Sequence, residues 1–111
     1  MDSHYKHYIS QNNPNAAVIE LPEKVLGGVE ALDFSSLVDK YSFEALDSII
    51  VDLKSVTLIN SSGLGMLVAA IGKTKKHGKR LFLCSVPDKV QALLKITHLD
   101  EVFTIIEEQQ K

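Results

Sequence analysis

Residues Ser48 to Leu53 read Ser-Ile-Ile-Val-Asp-Leu, a nearly continuous β-branched run without the polar and apolar alternation of a half-exposed strand. A run of this kind suits a central strand buried on both faces, which is the situation of a strand with parallel neighbours and helices nearby. Parallel neighbours need long crossover connections, so helical segments should flank the run in the chain. On its C-terminal side Leu64, Leu67, Val68 and Ile71 recur at helical spacing, predicting a helix from about Ser62 to Lys76 that packs on the sheet through those four residues. Cations at Lys73, Lys75 and Lys76 complement the negative end of that helix, and Gly78 can adopt the left-handed conformation that stops it. On its N-terminal side Phe34, Leu37, Val38 and Tyr41 form a second apolar stripe, with Asp33 placed to act as N-cap.

The remaining segments complete the same pattern. Tyr5 to Ser10 and Ala16 to Leu21 carry β-branched and aromatic residues around the turn formers Gln11-Asn12-Asn13-Pro14-Asn15, so an N-terminal hairpin is expected. Pro22 ends the second strand, and Gly27-Gly28 marks a flexible connection. Arg80 to Val86 is a further apolar strand, and Pro87 suits the first turn of a third helix with Val90, Leu93 and Leu94 on its inner face. Val102 to Ile106 fits either an edge strand or a short helix, and Glu107 to Lys111 is polar enough to fray. The order β-β-α-β-α-β-α makes an α/β fold with a mixed sheet. At 111 residues, 45% apolar and 23% charged, the chain has the size and composition of one folded domain spanning residues 1–111.

The same numbers exclude several functions. A net charge of -2 gives no overall attraction to nucleic acid or to an anionic membrane. Cys84 is the only cysteine, so neither an internal disulfide nor a cysteine zinc cluster can form, which suits a reducing cytoplasm. The first residues, Met1-Asp2-Ser3-His4-Tyr5-Lys6, lack a signal-peptide core, and no apolar run approaches the roughly 20 residues of a membrane span. A cytoplasmic protein without membrane insertion is expected.

The chemistry is concentrated at Asn60-Ser61-Ser62-Gly63-Leu64-Gly65, where small polar side chains stand between a buried strand and the start of an apolar helix. Unpaired amides and the dipole favour an anion at a helix start, so a phosphoryl group would be well accommodated there. It would add about 1.5 to 2 negative charges at one surface point, enough to repel an acidic partner or disrupt an apolar contact. The same residues also serve as helix caps, and the two roles are compatible. A recognition surface is expected around Ser61 and Ser62, taking in Asn60, Gly63 and Leu64 and the first turn of the third helix at Pro87 and Asp88.

Val51-Asp52-Leu53, a short apolar segment and then Asn60-Ser61-Ser62-Gly63-Leu64-Gly65 resemble the motif of the STAS family, an apolar strand followed by Asp-Ser-x-Gly-Leu-Gly opening a helix. The likeness continues through Lys76 to Leu83 and Leu93 to Phe103, covering about Ser48 to Phe103. It implies a mixed β-sheet with an N-terminal hairpin and helices mainly on one face. It also implies an anti-sigma factor antagonist without catalysis or cofactor of its own. In that family the serine after the acidic residue is phosphorylated by a serine-kinase anti-sigma factor and dephosphorylated by a PP2C-type phosphatase. The unphosphorylated form binds the anti-sigma factor and frees the sigma factor. The corresponding residue is Ser61, with Ser62 the weaker candidate. Asn60 replaces the family's Asp and so removes one charge beside the hydroxyl. Pro22-Glu23-Lys24 replaces the family's glycine in the second strand region, and many relatives continue into a further helix after the equivalent of Phe103. A non-phosphorylated scaffold or transporter-associated subunit is the alternative that Asn60 suggests.

Other motifs fall short of the chemistry they evoke. Gly72-Lys73-Thr74 ends a helix and has Leu67 where a phosphate loop needs glycine. Gly63-Leu64-Gly65 lacks the third glycine of a dinucleotide fingerprint, and neither serine of the turn has hydrolase flanks. His4 and His7 would point to opposite faces of a strand, so no metal site is expected. His77 and His98 read as surface or capping residues at helix ends, Cys84 as a small core side chain, and Lys73, Lys75, Lys76, Lys79 and Arg80 as a solvated helix end.

Overall fold

The Ser48–Leu53 run occupies the middle of the sheet. The structure, a computed structural model, describes residues 5–107. Its elements are β1 (Lys6–Ile9), β2 (Ala16–Glu20), β3 (Lys24–Val25), α1 (Val29–Ser42), β4 (Ser48–Asp52), β5 (Leu58–Ile59), α2 (Ser61–Lys76), β6 (Arg80–Cys84), α3 (Asp88–Ile96), a single 3-10 turn (Leu99–Glu101) and β7 (Thr104–Ile106). The main sheet has the order β1-β2-β4-β6-β7. The hairpin β1-β2 is antiparallel, and β2, β4, β6 and β7 are parallel, with Ala16 opposite Ser48, Ser48 opposite Arg80 and Phe82 opposite Thr104. Every residue of β4 is buried, as its composition demands. Ile49 and Val51 face a core that includes Phe34, Leu37, Val38 and Tyr41 of α1, Leu64 and Leu67 of α2, and Val90 and Leu94 of α3. Ile50 points the other way, into a small cluster with Ala16, Val18 and Cys84 that contains no helical residue. The helices therefore pack on one face.

Several boundaries differ from the sequence reading. Asp33 is not the N-cap of α1, which starts at Val29 with Gly28 at the cap position and no side-chain cap bond. The positive φ angles of Gly27 and Gly28 turn the chain sharply enough for the helix to begin at once. In α2, Val68 is 37% exposed and is not part of the packing face. The buried arc comprises Gly63, Leu64, Met66, Leu67, Ala70 and Thr74, because the helix packs on α1 as well as on the sheet and uses small residues to approach it. Ile71 packs at the edge of this core. Pro87 precedes α3 as its cap and is not within its first turn, and the segment after Phe103 is an edge strand. Two short strands, β3 and β5, pair in parallel as a separate clasp. His4 and residues 108–111 lie outside the described residues.

Candidate functional site

The backbone of Asn60 is extended, and its side-chain oxygen accepts a hydrogen bond from the Gly63 amide at 2.8 Å, while its carbonyl accepts from Leu64 at 2.9 Å. Asn60 thus caps α2, which ends the clasp strand and starts the helix at one residue. The cap leaves the Ser61 and Ser62 amides without intrahelical acceptors, as in any first helical turn. The first turn of α2 carries no acidic side chain, so the positive end of its dipole is uncompensated.

The clasp shapes the turn from the N-terminal side. The Asn60 amide donates to the Val25 carbonyl at 3.3 Å, and the amides of Thr57 and Leu58 donate to the Glu23 carbonyl at 2.8 and 3.1 Å. Val25 lies so close to the helix start that a Cβ on Gly63 would sit 2.1 Å from its carbonyl oxygen. A Cβ on Gly27 would lie 2.8 Å from the Ser62 Cβ. Glycine is required at 63 by space, and Gly27 brings the start of α1 against the serine turn.

Upstream, the fully buried Asp52 carboxylate accepts from the Lys54 amide at 2.9 Å and stands 3.7 Å from the Lys54 ammonium. That ammonium also lies 3.8 Å from Glu20. These contacts fix the chain as it leaves β4 for the clasp. On the neighbouring side Tyr5 is buried and donates its hydroxyl to the Glu30 carbonyl at 2.8 Å. Burial first, then the charges of Glu30 and Asp33, push its phenol above the ordinary value of 10.

Of the residues expected at the surface, Asn60, Ser61, Ser62 and Asp88 are exposed and Pro87 is partly so. Gly63 and Leu64 are buried. Leu64 supports the turn from inside the core. Asp52 and Cys84 end neighbouring parallel strands in register, so α2 and α3 both start from the same edge of the sheet. His7 bonds to the Tyr41 hydroxyl at 2.7 Å, His77 caps the end of α2, and His98 takes a left-handed conformation just beyond α3.

Sequence reasoning missed the apolar residues around this turn. Leu26, Val29 and Leu32 are 41%, 72% and 69% exposed. The available signal was that Val29 and Leu32 fall outside the Phe34-Leu37-Val38-Tyr41 stripe, and starting the helix at Asp33 hid it.

Comparison with known proteins supplies the context for this geometry. The family model described as STAS domain matches residues 8–111. An anti-sigma-B factor antagonist of Staphylococcus aureus is 30% identical over 59 residues, which is 53% of this chain and 55% of that protein. The chain thus spans about half the length of the curated relatives it matches. An anti-sigma-factor antagonist (STAS) domain protein from Planctomyces limnophilus has a solved structure similar at TM-score 0.76 and 22% identity, covering 96% of this chain and 92% of that one. The Bacillus cell fate determinant SpoIIAA in its phosphorylated form is similar at TM-score 0.70 and 14% identity, covering 96% and 94%. At these identities the structures show a shared fold.

Proposed function

The chain belongs to the STAS domain family, and from that premise we propose that it is an anti-sigma factor antagonist switched at Ser61. The observation that carries this reading is an exposed serine pair directly after an N-cap, at the uncompensated positive end of a helix, in the position the family motif assigns to the phosphoacceptor. The partners are a serine-kinase anti-sigma factor and a PP2C-type phosphatase, and the setting is the bacterial cytoplasm. The unmodified turn binds the anti-sigma factor and so releases the sigma factor. A phosphate on Ser61 is tolerated by the fold because the amides at the helix start face it, and its charge acts on the partner. The protein works as a binding switch without catalysis. Among the described residues no helix is long and apolar enough to cross a membrane.

Mass spectrometry after incubation with the kinase-type partner and ATP tests the reading. Phosphate on Ser61 supports it, and phosphate only on Ser62, or on neither serine, refutes it. Ser61→Ala should bind that partner persistently, whereas Ser61→Asp should bind weakly and stay folded. Asn60 favours one second reading, a scaffold that is never phosphorylated: a neutral amide makes the cap bond to Gly63 without supplying a charge beside the hydroxyl. Persistent binding with no phosphate after prolonged incubation is its signature.

A further inference from the structure

A cleft of about 400 Å³ opens where the far end of α2 meets the start of β6, roughly 20 Å along the helix from Ser61. It exists because β7 is shorter than β6. Their pairing begins with Phe82 opposite Thr104, so the outer edge of β6 at Arg80 and Leu81 has no strand beside it among the described residues. Ile71 of α2, Leu81, Phe82 and the half-exposed Val102 give the cleft an apolar lining. Lys75, Lys79 and Arg80 line it as well, and among the described residues no carboxylate does, although the chain as a whole carries a net charge of -2.

The three cations are differently employed. The Lys79 ammonium donates to the carbonyls of Glu44 and Leu46, so it is committed to holding the chain after α1. Lys75 and Arg80 are exposed, and neither side chain has an ion pair or hydrogen bond, whereas Lys40, Lys54 and Lys73 each have an acidic partner. Asp47 lines an adjoining cavity with Arg80 and makes no ion pair with it. The dipole of α2 accounts for a lysine at position 75 but not for an arginine on the strand that follows. We propose that this cleft binds a small organic anion, its carboxylate or phosphate head held by Arg80 and Lys75 and its apolar body laid against Leu81, Phe82 and Val102. A guanidinium presents a planar fork that fits either head group, and the ammonium adds a point charge beside it. Thr104 offers an uncommitted hydroxyl at the rim, while the Thr74 hydroxyl already donates to the Ile71 carbonyl at 3.0 Å. Apolar walls with a few convergent polar groups, in a volume of this size, are what small-molecule sites share.

The test needs no protein partner. The full chain is labelled with nitrogen-15 and titrated with hexyl phosphate, hexanoate, hexanol and inorganic phosphate while its amide shifts are followed. Hexyl phosphate or hexanoate should saturate shifts at Lys75, Arg80, Leu81, Phe82 and Thr104 with a Kd of about 1 mM or below. Hexanol and inorganic phosphate should each bind at least about tenfold more weakly, because each lacks one half of the ligand. Lys75→Gln/Arg80→Gln should weaken the anions by about tenfold or more, to the level of hexanol, and both positions are exposed, so its urea midpoint should hold. Lys76→Gln/Lys95→Gln removes the same charge outside the cleft and should bind as wild type does. Hexanol binding as tightly as the anions overturns the proposal, as does inorganic phosphate matching hexyl phosphate. Equal losses in the two double variants, or no saturable shift at these amides below about 10 mM, overturn it too. The comparison of probes on wild type decides the matter even if the cleft variant fails to fold.

Discussion

Gly63→Ala is the substitution on which opposing effects are best separated. In an exposed helix, alanine is favoured over glycine by about 1 kcal/mol, so propensity alone makes the variant more stable. At Gly63, however, the added methyl would stand 2.1 Å from the Val25 carbonyl oxygen, far inside the roughly 3.5 Å at which nonbonded atoms rest. Strand β3 must retreat, at a strain of about 1 to 3 kcal/mol. The bond from Asn60 to Val25 weakens with it, as do those from Thr57 and Leu58 to Glu23, each worth about 0.5 to 1.5 kcal/mol. After the propensity gain is subtracted, a net loss of about 2 kcal/mol is expected. Gly65 and Gly72 lie in the same helix with open space at the Cβ position, so Gly65→Ala and Gly72→Ala should gain up to about 1 kcal/mol. Urea unfolding measures all three, and hydrogen exchange at the Thr57 and Leu58 amides reports the clasp. A Gly63→Ala protein as stable as the two controls, with unchanged exchange at those amides, would refute the argument.

Leu67 is fully buried, and Leu67→Ala should cost about 2 to 5 kcal/mol, whereas Val68→Ala should stay within about 1 kcal/mol in the same urea assay. Asn60→Asp keeps the cap acceptor and adds charge at an uncompensated helix start, so it should stabilise by about 0.3 to 1 kcal/mol at neutral pH, whereas Asn60→Ala should lose about 0.5 to 2. Thermal midpoints of the two variants on either side of wild type check that ordering. The raised phenol of Tyr5 means that the unfolded chain releases its proton near pH 10 while the folded chain retains it. Stability from this group is therefore complete below pH 10 and falls as the pH rises through the folded value, with Tyr41, raised by burial and then by Glu44, adding to the fall. Urea midpoints at rising alkaline pH should decline, and Tyr5→Phe should flatten the decline while losing the bond to Glu30.

Residues whose burial and chemistry agree were readable in the sequence. The Ile49-Ile50-Val51 run, the Phe34 to Tyr41 stripe and the Asn60 cap each need only local pattern to be placed, and the structure has them there. Val68 was misread because a Val advertises a core position more loudly than Ala70 or Thr74, although the small residues are the ones that let α2 approach α1. The clasp escaped because Lys24-Val25 and Leu58-Ile59 are too short to show a period, and their pairing depends on residues distant in the chain. The exposed apolar side chains at Val29 and Leu32 went unseen for a related reason: two positive φ angles start the helix earlier than the first good capping residue.

The clasp also sets when the framed serine turn can exist. Glu23 and Thr57 are separated by 34 residues, so closing the contact that frames Ser61 requires a long loop to be organised first, an entropic cost that helix α2 alone does not meet. A nascent or partly unfolded chain can form α2 and still present the serines without the Val25 and Gly27 wall beside them. A protein that bound only the framed turn would therefore distinguish a completed fold from a chain that has not yet finished.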